Sequence, residues 1–359
     1  MIHCISKFSK TEIGPLKASS LSLVLEKYQG HNIIILVDEN SHDACLEYFL
    51  GQFPSLEDAE VVLLPNGEEN KVMEVCFQVW QSFTKHMYSR SDLVINLGGG
   101  VVCDMGGFIA SIFKRGMNFI NIPTSLLAMV DASIGGKNGI DLDDFKNQLG
   151  TIRHPSHVFI DKEFLKTLPV EEVFNGYAEM LKHALIKNKS HWEEIKNIHS
   201  EEELIQESII YQSVLIKSTI IDEDPNEGGI RKLLNFGHTV GHALESFFMR
   251  ASPISHGHAV ALGMCAEAHI SFQRAYLSQD EFKEVESTII RSFPMVSLSP
   301  ENIKEIIQLM YQDKKNSKNK ILCSLLTGIG KADFNFELNE DEIGNSLLHL
   351  TLLARSVAN

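Results

Sequence analysis

Five short runs of β-branched and aliphatic residues, Ile33 to Val37, Val61 to Leu64, Leu93 to Leu97, Phe119 to Ile122 and Val158 to Ile160, are separated by segments with helical periodicity. Short apolar strands that alternate with helices pair through crossover connections, which restricts this half of the chain to an α/β architecture. After Leu168 and Pro169 such runs largely vanish. Long amphipathic patterns replace them at Glu202 to Ile221, Leu233 to Met249, Ala259 to Ala275 and Glu301 to Tyr311, predicting a helical second part. A chain of 359 residues exceeds what one hydrophobic core usually fills, so two domains are expected, residues 1–168 (α/β) and 169–359 (all-α).

The formal charge of -15 argues against a nucleic-acid partner, because phosphate backbones are held mainly by surplus Lys and Arg. An anionic ligand must then find a local basic pocket. No stretch approaches the ~18 uninterrupted apolar residues of a membrane span, and the opening MIHCISKFSKTEIGPL lacks the apolar core of a signal peptide. A cytoplasmic setting without a membrane partner is expected. Cys4, Cys45, Cys76, Cys103, Cys265 and Cys323 stand singly, with no CxxC pair, and read as reduced, mostly buried thiols.

Chemistry concentrates at a few places. Asp92 to Phe108, DLVINLGGGVVCDMGGF, is a strand, a triple glycine and a helix start. Glycines let the backbone approach a phosphate, and the helix offers free N–H groups and a positive dipole end. Cys103 stands where a GxGxxG pattern has its last glycine, so spacing alone leaves a plain tight turn open. Asp38 and Asn40, at the end of the first strong strand, can take ribose hydroxyls or simply make a turn. Asp131, Lys137, Lys146 and Asn147 lie in a glycine-bearing stretch suited to phosphate or to an ordinary exposed loop, and Arg115 is open to the same alternatives.

In EEVFNGYAEMLKHALIK, Glu179 and Lys182 fall three apart on one helix face. Asn235 precedes a second helical pattern, along which His238, Gly241, His242 and Glu245 recur, and His256 follows a break at Ser252 and Pro253. The four-residue spacing of His238 and His242 is the one by which a helix presents two imidazoles to one zinc ion. A catalytic zinc usually keeps three protein ligands and one open position. Among Glu179, His238, His242, Glu245 and His256, at least one therefore has another task.

The motifs PNGEENK, GGGVVCD, KRG, IPTSLLAMVDASIGGK, KNQLG, GYAEMLKH, RKLLNFGHTVGHALE, HGHAV and DKK, in this order from about Asp38 to Lys315, resemble the 3-dehydroquinate synthase family of sugar-phosphate cyclases. The resemblance implies a Rossmann-like NAD-binding domain followed by an all-α metal-binding domain, and a homodimer. It assigns the metal, Zn²⁺ or Co²⁺, to Glu179, His238 and His256, and leaves His242 as a substrate contact and proton-transfer group. It assigns NAD to Asp38, Asn40, Asn66, Gly67, Glu68, Glu69, Asn70, Lys71, Gly100, Val101, Val102, Cys103 and Asp104. NAD contacts are also implied at Thr124, Ser125, Lys137, Lys146, Phe164, Leu165, Lys166 and Thr167. The substrate, an anionic sugar phosphate, falls to Asp131, Lys137, Asn147, Lys182, Lys217, Arg231, Asn235, His242 and one of Lys314 or Lys315, with Arg115 reaching the neighbouring subunit's site.

The implied reaction converts 3-deoxy-D-arabino-heptulosonate 7-phosphate to 3-dehydroquinate and phosphate by transient oxidation, β-elimination, re-reduction and aldol closure. The cationic residues just named supply the local positive pocket that an acidic chain requires. Rival readings are a cyclase for another sugar phosphate, a glycerol dehydrogenase-type enzyme that releases NADH, and a silent NAD- or metal-binding protein. Departures from the family pattern are Cys103, Ser125, Asn138, Phe145 and His258. Of these, Cys103 is expected to crowd the pyrophosphate turn, Asn138 to alter hydrogen bonding near Lys137, and His258 to tune or compete for the metal.

Overall fold

The protein is described by a computed structural model for residues 1–142, 145–198, 200–249, 252–312 and 320–358. Lys314 and Lys315 lie outside the described residues, as does the side chain of Phe145. The strands of the first half are β1 Ile2–Ile5, β2 Lys10–Ile13, β3 Ile33–Asp38, β4 Glu60–Leu64, β5 Leu93–Gly98, β6 Asn118–Pro123, β7 Lys137–Leu142, β8 Phe145–Ile152 and β9 His157–Ile160. Seven of them form one sheet in the order β1-β2-β9-β6-β5-β3-β4, and β7 and β8 form a separate antiparallel hairpin. The β1–β2 pairing is antiparallel and the others in the sheet are parallel.

All six residues of β5 are buried, as a central parallel strand requires. Ile34, Leu36 and Val94 of the sheet share a core with Phe83 of the Met73–Lys85 helix and Met105 and Ile109 of the Gly100–Ile112 helix. The chain runs from β3 outward to β4, returns past β3 to β5, and then continues the other way to β6. The carboxyl ends of β3 and β5 therefore flank a topological switch point, the place where open parallel sheets bind ligands.

The chain divides into two compact units, Met1–Val173 with Ile205–Asp222, and Phe174–Leu204 with Glu223–Asn359. Against the division expected at residue 168, the first unit runs on to Val173 and also takes in Ile205–Asp222, most of the Glu207–Glu223 helix. Buried Lys217 of that helix pairs with Asp131 at 2.8 Å, and Asp222 Oδ1 accepts from the Lys7 backbone at 2.9 Å. Helical periodicity specifies a buried face but not the core it joins. The pattern expected from Glu202 to Ile221 is two helices, Glu201–Leu204 and Glu207–Glu223.

The second unit contains the helices His238–Phe248, His256–Gln273, Gln279–Ser292, Pro300–Gln312 and Glu340–Ala358. Among the described residues it is helical as expected, apart from one hairpin, β10 Ile321–Gly328 and β11 Lys331–Leu338, which a strictly all-α reading had not included. Residues of β11 alternate in exposure, and the turn uses Gly330 at φ +78°, so the missed signal was a period of two bounded by a glycine turn. The His238–Phe248 and His256–Gln273 helices approach closely because Gly263 has no side chain; a Cβ there would strike the Gly237 carbonyl and the Gly241 nitrogen. Among the described residues no helix is long and apolar enough to cross a membrane. All six cysteines are buried and free.

Candidate active site

In the second unit, two helix starts and the middle of a third helix bring one carboxylate and several imidazoles together. Gly237 adopts the left-handed conformation, φ +80°, immediately before the helix that begins at His238. Buried Glu267 accepts from Gly237 N at 2.6 Å and Val240 N at 3.1 Å, satisfying helix-start donors that have no partner within their own helix. Ser255 caps the next helix through His258 N, and Asn175 Oδ1 accepts from Gly257 N, which fixes His256 at the first helical position. Glu267 and Asn175 are positioning groups that the sequence reading passed over. An acidic residue within the apolar run AVALGMCAEAHI was the available signal for Glu267.

Ligand atoms of His238, His242 and His256 all lie within 4.8 Å of one another. Glu179 Oε1 lies 3.3 Å from His238 Nε2 and 3.6 Å from His256 Nε2, and Oε2 pairs with Lys182. Glu179 and Lys182 are both buried, and neither Glu179 oxygen has a hydrogen-bond partner of ordinary geometry. His238 Nδ1 lies 3.2 Å from the Phe236 carbonyl, which can only accept, so Nδ1 carries the proton and Nε2 presents its lone pair. His256 Nδ1 lies 3.4 Å from Glu245 Oε2, an arrangement that likewise turns Nε2 toward Glu179. Two imidazole Nε2 atoms and a carboxylate oxygen thus converge, and once His256 gives up its proton the donor set fits a divalent cation.

The protonation equilibria express the same demand. Burial by itself raises the Glu179 carboxyl, but Lys182 and His238 outweigh it and hold it well below the usual carboxylate range. Burial lowers His256, yet Glu179 and Glu245 override it and push it up to about 9. His238, buried and beside Lys182, falls to about 3. His258 takes no part: its Nε2 lies 2.7 Å from the Pro294 carbonyl, and its ring stacks on Phe293.

The loop of residues 224–229 organises two further candidates of this unit. Asp224 accepts from Gly228, Gly229 and Arg231 backbone N–H groups at 3.0, 2.7 and 3.1 Å. Buried Arg231 donates from Nη1 to the Pro225 carbonyl at 2.6 Å, and Asn235 Nδ2 donates to Glu227 Oε1 at 2.9 Å.

In the first unit the switch point collects most of the expected cofactor residues. Asp38 caps the turn after β3 by accepting from Ser41 N at 2.7 Å, and Asn40 Nδ2 donates to Asn66 Oδ1 at 3.0 Å. Asn70 donates to the Asn66 carbonyl at 2.6 Å, closing the turn that carries Gly67, Glu68 and Glu69. Gly99 and Gly100 start the helix after β5, and the Thr124 N–H binds the Gly98 carbonyl at 3.0 Å. A Cβ on Gly99 would lie 3.5 Å from Ser125 Oγ, so the glycine turn and the end of β6 are neighbours. Val101 and Asp104 are partly exposed there.

Cys103 and Val102 face the core, and the Cys103 thiol lies 3.8 Å from the Gly98 carbonyl. At 1% exposure the side chain offers almost no surface at the turn. Burial pushes the thiol well up, which keeps it neutral. Phe164 and Leu165 are buried, Lys166 pairs with Glu163 at 2.6 Å, and Thr167 is exposed. Lys137 and Asn147 are exposed and Lys146 half-buried on the β7–β8 hairpin, where buried Asn138 donates to the Gly136 and Arg153 carbonyls at 2.9 Å each. Asn138 thus braces the hairpin. Arg115 is exposed on a turn in which Lys114 and Arg115 both have positive φ, +49° and +68°.

The fold is that of the sugar-phosphate cyclases. A solved 2-deoxy-scyllo-inosose synthase, complexed with carbaglucose-6-phosphate, NAD⁺ and Co²⁺, superposes with a TM-score of 0.84 at 22% identity, covering 96% of this chain and 98% of that one. A 2-epi-5-epi-valiolone synthase from Streptomyces hygroscopicus, with NAD⁺ and Zn²⁺ bound, has a TM-score of 0.81 at 25% identity, covering 98% and 99%. The chain belongs to the 3-dehydroquinate synthase family and is an enzyme of that kind: residues 61–175 match 3-dehydroquinate synthase N-terminal and residues 176–316 match 3-dehydroquinate synthase C-terminal. The 3-dehydroquinate synthase of Parabacteroides distasonis is 37% identical over 332 residues, 92% of this chain and 94% of that protein.

Proposed function

We propose that Glu179, His238 and His256 hold one divalent cation, Zn²⁺ or Co²⁺, that the β5 glycine turn with Asp38 and Asn40 holds NAD, and that the substrate is 3-deoxy-D-arabino-heptulosonate 7-phosphate. The observation that carries this reading is the convergence of two Nδ1-anchored imidazoles on a buried carboxylate. When bound, the cation would supply Lewis acidity to a substrate hydroxyl, and NAD would supply reversible hydride transfer.

The side chains divide the remaining work. Lys182, held by Glu179, faces the same cluster and steadies negative charge on the reacting oxygens. Arg231, with its guanidinium anchored at Pro225, is a cation suited to the substrate carboxylate, and Lys217, paired with Asp131, is a cationic substrate contact of the first unit. Asn235 holds a hydroxyl. His242, near the His238 and His256 rings at 5.2 and 5.9 Å between centroids, moves the proton that accompanies oxidation and elimination. Lys137, Lys146 and Asn147 receive the phosphate end, and Arg115 serves the partner's site in a cytoplasmic homodimer. The domains then divide by task, α/β for NAD and helical for the metal.

Purified protein given the heptulosonate phosphate, catalytic NAD⁺ and Zn²⁺ or Co²⁺ should release phosphate and dehydroquinate in equal amounts without net NADH, and chelation should abolish it. Net NADH would indicate a dehydrogenase. Turnover of glucose 6-phosphate or sedoheptulose 7-phosphate in its place would indicate another cyclase.

A further inference from the structure

Asp161, the residue after β9, is 1% exposed, and its carboxylate joins three segments of the first unit. Oδ1 accepts from Glu163 N at 3.1 Å and so caps the short Lys162–Thr167 helix, which carries four of the expected NAD residues. Oδ2 accepts from Leu16 N, just past β2, at 2.9 Å, and from the Tyr48 hydroxyl, also at 2.9 Å. Burial and the neighbouring Asp161 push the Tyr48 phenol up to about 12, so it stays protonated and donates.

Tyr48 stands on the helical segment that follows β3, whose start is capped by Asp38. That segment contains a π turn, His42–Leu46, a form that recurs at functional sites. The Tyr48 ring meets that of Phe164 edge to face, with centroids 5.3 Å apart and planes at 89°. Three residues earlier, buried Cys45 hydrogen-bonds with the hydroxyls of Thr124 and Thr167, and burial pushes its thiol up to about 11. The Asp38 side of the expected cofactor site and the Phe164 to Thr167 side are thus tied by one phenol, one ring contact and one thiol. At 37% exposure the Tyr48 ring also has surface to offer a ligand, so the tasks of ring and hydroxyl must be separated.

We propose that Tyr48 is a positioning residue for NAD: through Asp161 its hydroxyl fixes the Phe164 to Thr167 turn against the helical segment that Asp38 caps, and it makes no bond to the cofactor itself. The inference rests on the assignment of NAD to that turn. Tyr48→Phe should raise the dissociation constant for NAD⁺, measured by calorimetry without substrate, about fivefold, within the worth of one hydrogen bond to a charged group. KM for the heptulosonate phosphate at saturating NAD⁺ should stay within about twofold, and zinc content should not change. Tyr48→Phe/Asp161→Asn should bind NAD⁺ no more weakly than Asp161→Asn alone.

Tyr48→Phe leaves Asp161 its Leu16 and Glu163 donors, so the fold is kept. If Asp161→Asn fails to fold, Thr167→Ala takes its place in the cycle, with the same masking expected. Unchanged NAD⁺ binding in Tyr48→Phe but weaker binding in Tyr48→Leu would overturn the proposal in favour of the ring stacking on the cofactor. A lower Tm with unchanged NAD⁺ affinity, or additive effects in the cycle, would overturn it in favour of a general structural role. If Thr167→Ala alone leaves NAD⁺ affinity unchanged, the assignment of the turn falls first and the proposal with it.

Discussion

The two units build their sites from different material. At the β5 turn of the first unit the chain offers mainly backbone: the glycines at 98 to 100, the open N–H groups of a helix start, and side chains such as Val102 and Cys103 turned into the core. At the cluster of the second unit it offers side-chain atoms, each with its own support: Phe236 for His238, Glu245 for His256, Lys182 for Glu179. A backbone site tolerates replacement wherever the side chain points away. A side-chain site fails with the loss of one atom. The contrast explains why Cys103 can stand in the glycine turn, while the Glu and His positions allow no such exchange.

Substitutions across both sites probe that contrast. The largest effect is expected for Glu179→Gln, which keeps shape but removes the charge opposing two imidazoles; bound metal and turnover should fall by more than the roughly 10–100-fold typical of losing an outer partner. Glu245→Gln should fall within that roughly 10–100-fold range, because it loosens His256 without removing a ligand. Metal affinity by competition with a chelator, alongside turnover, checks both. Equal losses in the two variants would mean that Glu245 is itself a ligand.

Asp224→Asn comes next. It weakens three bonds that shape the loop before Arg231, and a KM rise of about fivefold with little change in kcat is expected, the effect of roughly 1 kcal/mol. Burial tends to raise the Asp224 carboxyl, but the Gly229, Arg231 and Gly228 N–H groups hold it below its usual value. With the folded value depressed, this contribution is present above the unfolded carboxylate pKa and is lost as pH falls below it. Cys103→Gly should matter least to ligands: NAD⁺ affinity within about twofold, and a helix weakened by about 0.5–1 kcal/mol, read as a fall of a few degrees in Tm. A large gain in NAD⁺ affinity would show that the thiol does obstruct the turn.

The sheet was legible because five apolar runs of strand length have one physical use, and the structure places strands on all five. β10 and β11 were missed, although Lys331 to Leu338 alternates at strand period and ends a glycine turn. The Glu207–Glu223 helix was read correctly as a helix, yet its periodicity carried no information about which unit it joins. At the site, four-residue spacing shows that His238 and His242 share a helix face, which is necessary for joint ligation but not sufficient. The orientation of the His238 and His256 rings depends on Phe236 O and Glu245, one a backbone atom and the other seven residues beyond His238. Lys71 entered only through the family resemblance, and its burial against Asp104 and Asn147 is tertiary information.

The division within the histidine cluster is tested most directly by the zinc content of two purified variants, His238→Ala and His242→Ala, at equal protein concentration after equilibration with limiting Zn²⁺. We expect His238→Ala to be essentially metal-free, and His242→Ala to keep close to one zinc per chain while turning over about 10²- to 10⁴-fold more slowly, as loss of a proton-transfer group implies. Equal loss of zinc from both would contradict the assignment and return His242 to the metal.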